Sequence, residues 1–327
     1  MNHSQREFRL TMLWALNETA LGGFLHAFKI PVTGFLVGGL AVLIIGLIAR
    51  NAENVWRSLL KSTALVLLAK AAASPHSPPM AYIAVAFQGL SGALFFSTLP
   101  FKPASFLFGI LAMLESALQK LIITTLVFGM QLWKALDQFT NDVLKFFGFY
   151  EPVAFSFILV SLFLGLYFLW GLGLGFWLGK LPDQIEKRKD QLLFLQENAI
   201  DAPRNTRKNK FKKYLISGIF LLLFALLLYA AQPGKGWLNA LYGLSRAIAI
   251  ILVLIFIVKP LLQWILQKWV NRNQGKYREE LSEILLKLPD WRKKIPDIYA
   301  RVSSQHRGIK KYREFVILLF VMAIYTD

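Results

Sequence analysis

Glu18, His26, Lys70, His76, Gln88, Glu115 and Gln119 are ionisable or amide side chains set among long apolar runs. An ionisable group in hydrocarbon costs about 2.5–3.5 kcal/mol on insertion scales, so such groups face a bundle interior or a wet cavity and take a partner. On a helix, Glu18, Gly22 and His26 fall within about 80° of one another. Glu115 and Gln119 share a face at i, i+4 spacing, with Lys120 beside them. His26, Lys70 and His76 are expected near the outer ends of their helices, where basic groups that converge bind a small anionic solute through its carboxylate or phosphate. The competing reading is that each polar group only bonds a neighbouring helix. A metal is the lesser alternative, because no HxxxH or HExxH pair fixes the histidines and glutamates on one helix. No catalytic cluster can be assembled, and no enzyme activity, metal or cofactor is expected.

The elements that must position these groups follow from composition. The chain has 327 residues, of which 56% are hydrophobic and 17% charged, with no cysteine. Its mean hydropathy is +0.48, which places it in the all-α class as a polytopic helical membrane bundle. Without cysteine, thiolate catalysis, disulfides and Cys-ligated zinc are excluded. A span needs about 20 apolar residues. By that measure helices are expected near 9–28, 32–49, 58–73, 80–98, 104–130, 152–179, 213–231 and 237–259, about eight spans. The first is read as retained, since Glu18 interrupts the apolar run that a signal peptide needs.

The formal charge of +18 does not point to nucleic acid, because Lys and Arg concentrate between and after the apolar segments. Positive-inside bias explains them and predicts an inner-membrane, multi-pass protein whose N-terminus and C-terminal tail are cytoplasmic. Membrane lipids are thus expected partners, and nucleic acid is not. Four regions are expected: a six-helix membrane domain over 1–182, a basic cytoplasmic linker over 183–212, a two-helix membrane segment over 213–260 and a basic amphipathic tail over 261–327. In the tail, Leu281, Ile284, Leu285 and Leu288, then Trp291, Ile295, Ile298 and Val302, recur at helical spacing, with breaks predicted at Pro289 and Pro296. The run 315–325 is too short to span and reads as interfacial or docked. Residues 131–152 read as an amphipathic helix at the outer interface.

Small residues mark helix contacts. Gly23 and Ala27 belong to a stripe on the first helix, and Gly171, Gly175 and Gly179 form a GxxxGxxxG ridge on the sixth. That ridge is no phosphate loop, since Leu181 follows Lys180 where Ser or Thr is required.

The segments ALNETALGGFLHAFKIPVTGFLVGGLAV and KAAASPHSPPMAYIAVAFQGLSGALFF resemble the substrate-binding S component of energy-coupling factor (ECF) vitamin transporters. The resemblance implies that the stripe Ala15, Thr19, Gly23 and Ala27 meets a partner. Farther on, SRAIAIILVLIFIVKPLLQWIL is similar to a passage of the T component, which implies that Arg301 and the Arg307-Gly308 pair dock cytoplasmic ATPase subunits. The two short motifs stand closer together than in that family, and the half has fewer spans. Together these readings predict a membrane transport component that binds a small anionic solute and couples to a cytoplasmic partner. The alternative is a non-transport membrane scaffold whose basic tail recruits a protein or acidic lipid.

Overall fold

The computed structural model describes residues 3–21, 33–74, 77–189, 236–258 and 275–325, with scattered positions between 260 and 272. Every secondary-structure element among them is a helix: α1 (His3–Leu16), which continues as a π turn (Asn17–Leu21), α2 (Thr33–Asn51), α3 (Val55–Ala73), α4 (Pro79–Thr98), α5 (Phe101–Phe128), α6 (Met130–Phe146), α7 (Phe155–Leu178), α8 (Leu181–Glu186), α9 (Gly236–Val253), which continues as a π turn (Leu254–Val258), α10 (Arg278–Gln305) and α11 (Gly308–Tyr325). Among the described residues, five stretches are long and apolar enough to cross a membrane: Gly34–Asn51, Met80–Thr98, Phe101–Phe128, Phe155–Leu178 and Leu241–Val258. The expected span at 213–231 and residues 22–28 of the one at 9–28 lie outside the described residues. The expected span at 58–73 is helical within α3, where Arg57, Lys61 and Lys70 lower its hydropathy.

Two compact units form, one from Met1–Ser116, Phe168–Arg204 and Ile265–Asp327, the other from Ala117–Tyr167 and Asn205–Trp264. In the first, α1 to α4 pack on one another around Leu13, Trp14, Ile44, Ile45 and Val66. Asn54 caps α3 by accepting from the Arg57 amide at 3.0 Å, and Pro79 opens α4, where its missing N–H costs nothing. Buried hydroxyls fold back on their own helices: Thr63 donates to the Leu59 carbonyl at 2.6 Å and Ser105 to that of Phe101 at 2.7 Å. Such closure suits a medium that offers no water to stray polar groups.

The ridge on α7 meets α5 backbone to backbone. A Cβ on Gly171 would stand 2.5 Å from the Gly109 oxygen, and one on Gly175 would stand 2.7 Å from the Ser105 oxygen. Gly179 has only ordinary contacts. The same helix reaches α2 through the stacked rings of Phe35 and Trp170, 4.4 Å apart, while the Trp170 indole donates to the Phe35 carbonyl. Mean hydropathy over α7 is 2.2, yet only 17% of that stretch is buried, so most of its apolar surface needs lipid or another chain.

In the second unit, α6 lies against α5 and α9 through Val127, Leu132, Ala135 and Ala247. Gly129, at φ 73°, turns the chain between α5 and α6 in a conformation that costs glycine little. Asp137 and Asn141, one turn apart on α6, hold the chain entering α7. Asp137 accepts from both the amide and the hydroxyl of Ser156, at 2.6 and 2.8 Å, and Asn141 brackets Val153.

Pro289 and Pro296 do not break the tail, because α10 runs through both. They sit seven residues apart on the exposed side, where water can satisfy the carbonyls they leave without a partner. The opposite side buries Leu281, Ile284, Leu288, Trp291, Ile298 and Val302 at steps of three, four, three, seven and four residues, and this seam holds the helix together. The run at 315–325 is docked: Ile317, Phe320, Val321 and Ala323 are fully buried where α11 meets α1, α8 and α10. Arg188 pairs with buried Glu314 at 2.8 Å, and the Tyr325 hydroxyl donates to Glu186.

Gly171→Leu is expected to force α5 and α7 apart and to lower stability by about 1–3 kcal/mol, the usual overpacking range. Gly173→Ala, with open space around it, should leave the thermal midpoint in detergent unchanged or higher. A pH series tests the α11 clamp. Burial and the Glu186 carboxylate push the Tyr325 phenol up to about 12, from an ordinary 10.0. A raised phenol stabilises the fold below its unfolded value and loses that contribution as pH rises through the folded one. The alkaline fall in thermal midpoint between pH 10 and 12 should therefore be steeper in the wild type than in Tyr325→Phe.

Candidate functional site

The buried charges of the first unit meet where α1, α2, α3 and α4 approach one another. The α-helical repeat of α1 gives way to the π turn at Asn17–Leu21, an irregularity frequent at functional sites, and Glu18 lies inside it. From the last turn of α3, the Lys70 ammonium donates to Glu18 Oε2 at 2.6 Å. Both side chains are buried, at 2% exposure for Lys70 and 6% for Glu18. Lys70 thus turns inward to a carboxylate, whereas Lys61, near the other end of the same helix, is half exposed and pairs with Glu280 at 2.8 Å.

Amides and an aromatic ring frame the pair. Asn17 Nδ2 donates to the Val37 carbonyl of α2 at 3.0 Å and, at a longer 3.4 Å, to Glu18 Oε1. The Asn17 Oδ1 atom is buried and has no hydrogen-bond partner among the described residues. Tyr82 of α4 holds its ring 5.8 Å from the Lys70 ammonium, and its hydroxyl makes long bonds to the Lys70 and Ser74 carbonyls, at 3.5 and 3.4 Å. Gln88, farther along α4, is 3% exposed, with its amide nitrogen against Gly38 of α2.

The structure therefore joins Glu18 to Lys70 and places Gln88 in the same helix bundle. His26, His76, Gly23 and Ala27 lie outside the described residues. Glu115 and Gln119 are half-buried on α5. Lys120 donates to the Tyr167 hydroxyl at 2.8 Å, with its ammonium 5.4 Å from the centre of that ring. Arg301 is partly exposed near the end of α10, while Arg307 is exposed in the turn before α11 and Gly308 is exposed as the first residue of α11. Among the described residues, cavities lie beside the N-terminal part of α1. Two cavities of about 390 and 200 Å³ there share Arg9 and Lys287.

Sequence reasoning did not assign Tyr82 or the Val37 carbonyl to this site. A tyrosine in an apolar run reads as packing, and a main-chain acceptor leaves no mark in the sequence. The spacing of Lys70 and Tyr82 across a short turn was the available signal.

Attraction between buried charges offsets their desolvation only while both partners are present. Lys70→Met or Glu18→Leu alone should destabilise the protein by about 3–5 kcal/mol, and the double variant should recover most of that loss. Thermal unfolding of the detergent-solubilised chain measures all three. Comparison with known proteins finds no matching family, no matching curated protein and no matching solved structure, so the functional reading rests on the chemistry of this site.

Proposed function

We propose that this protein is an integral membrane transport component whose first region binds a small anionic solute at Lys70. The observation that carries this reading is the Glu18–Lys70 pair, closed at 2.6 Å inside an apolar helical bundle. A buried ion pair is poor value for stability, since well-packed apolar residues of similar volume serve as well or better, and intramembrane charges mark solute and ion paths. Glu18 holds the place of a ligand carboxylate or phosphate. An incoming anion takes over Lys70, and the released Glu18 needs a donor. A solute that carries an anionic group together with an N–H or O–H satisfies both residues and costs less than a simple anion. Gln88 and Asn17, one buried and the other with a spare acceptor, supply amides for the rest of the solute.

In this reading the chain crosses the inner membrane about eight times with both ends cytoplasmic, in accord with where Lys and Arg concentrate. Residues 1–182 hold the solute, and the remainder anchors them or couples them to cytoplasmic ATPase subunits of the kind that the ECF resemblance implies. One observation favours the scaffold reading: Glu18 and Lys70 satisfy each other, which a purely structural pair also does.

The experiment is a ligand screen on the full chain in lipid nanodiscs, with inorganic phosphate, simple carboxylates and amino carboxylates as probes. A ligand present at one hundred times its dissociation constant stabilises by about 2.7 kcal/mol. The expected result is a rise in thermal midpoint with amino carboxylates that the Glu18→Leu/Lys70→Met double variant abolishes while remaining folded. If no probe shifts the wild type, and proteoliposomes take up none of them, the scaffold reading replaces transport.

A further inference from the structure

The turn between α10 and α11 carries chemistry that the buried site does not use. Gly308, at φ 64°, breaks the chain sharply and starts α11 with Ile309 thrown outward, 88% exposed. Tyr312, one helical turn on, is 57% exposed on the same side, and Tyr299 at the end of α10 is 38% exposed. Between Arg301 and Arg313 the chain carries Arg301, His306, Arg307, Lys310, Lys311 and Arg313 and no acidic residue. The first carboxylate beyond, Glu314, is buried and committed to Arg188. The Lys311 ammonium lies 5.1 Å from the ring centre of Tyr299 and 4.8 Å from that of Tyr312, so two phenols and a cation form one surface. Phe315 closes edge-on against Tyr299 at 5.5 Å and fixes the α10 side of that surface.

An aliphatic tip ringed by cations and tyrosines is the composition of a segment seated at a lipid headgroup boundary. The apolar residue enters the acyl edge, the phenols lie at headgroup level and the cations meet phosphate. An exposed isoleucine surrounded by positive charge gains nothing from water and much from an anionic leaflet. Among the described residues, five stretches are long and apolar enough to cross a bilayer, which is the surface this composition fits. We infer that the α10–α11 turn is a docking surface for anionic phospholipid, with Ile309 as its wedge and Arg307, Lys310 and Lys311 as its headgroup contacts. This surface does not depend on the solute reading, so either can fail without the other.

The sequence contains no cysteine, so Ile309→Cys gives one attachment site for a nitroxide in the full chain. The labelled protein is placed in nanodiscs of phosphatidylcholine alone or of an equal mixture with phosphatidylglycerol. Relaxation by oxygen, which partitions into lipid, is compared with relaxation by a water-soluble nickel chelate. The inference expects the oxygen-to-nickel ratio to rise several-fold in the anionic discs and to fall back at high salt. It should also fall back in the Arg307→Gln/Lys310→Gln/Lys311→Gln variant, whose substitutions touch only exposed or half-exposed side chains and whose thermal midpoint checks the fold. A label that stays aqueous in anionic discs overturns the inference, as does one that enters both lipids alike. Shielding from both relaxants also overturns it, because protein then covers the turn.

Discussion

A single pair of opposite charges, Glu18 on the first helix and Lys70 on the third, sets terms that the surrounding bundle must meet. Bringing the two ions out of water costs several kcal/mol each, and their attraction offsets this only where water stays away and the remaining polar atoms are bonded. The neighbourhood is built accordingly. The π turn carries Glu18, Asn17 ties that turn to the Val37 carbonyl, and the Tyr82 ring lies beside the ammonium. Close seats bring the helices near enough to exclude water: Gly89 of α4 lies against Thr63 of α3, and Gly92 against Ile45 of α2. A larger residue at either position would force α4 away from α3 or α2.

The two units solve the same problem of exposed polar backbone by different means. In the first, serine and threonine hydroxyls return to carbonyls of their own helices, and Thr11 bonds Ser62 across the α1–α3 contact at 2.7 Å. In the second, the amphipathic α6 lends its acid and amide to the start of α7, so the free amides of one helix are satisfied by the polar side of another. That polar side also explains why α6 is amphipathic although it packs on α5 and α9 through an apolar cluster, to which the Trp133 indole adds one hydrogen bond to the Thr125 hydroxyl at 3.0 Å.

How much of this could be read from the sequence divides along physical lines. Apolar runs fix helices almost regardless of context, so α2, α4, α5, α7 and the Leu241–Val258 stretch fall where hydropathy placed them. Gly171 and Gly175 signalled a close crossing, but nothing in the sequence named Gly109 and Ser105 as the surfaces they meet, because a contact belongs to two helices and a motif to one. Prolines 289 and 296 were read by local rule as breaks. The seam of Leu281, Ile284, Leu288 and Trp291 outweighs the lost bonds, a tertiary term that local rules omit. Glu18 and Lys70 were each recognisable as expensive charges, 52 positions apart, yet that they answer each other depends on how α1 and its π turn pack against α3.

The helix that carries Glu18 is also the helix on which the C-terminal hairpin rests. Near its start, the Arg6 guanidinium stands 5.3 Å from the ring of Tyr325, and farther along its buried face Leu10, Leu13 and Trp14 join the core. From Arg6 to Glu18 is about 18 Å at 1.5 Å per residue, a short and stiff rod apart from the π turn at its far end. A π turn holds one residue more than the α repeat and can release it by a local change of register. Glu18 therefore lies in the irregular turn of a helix whose other end packs against α11. One helix thus carries a partner of the buried ion pair and the seat of the C-terminal hairpin.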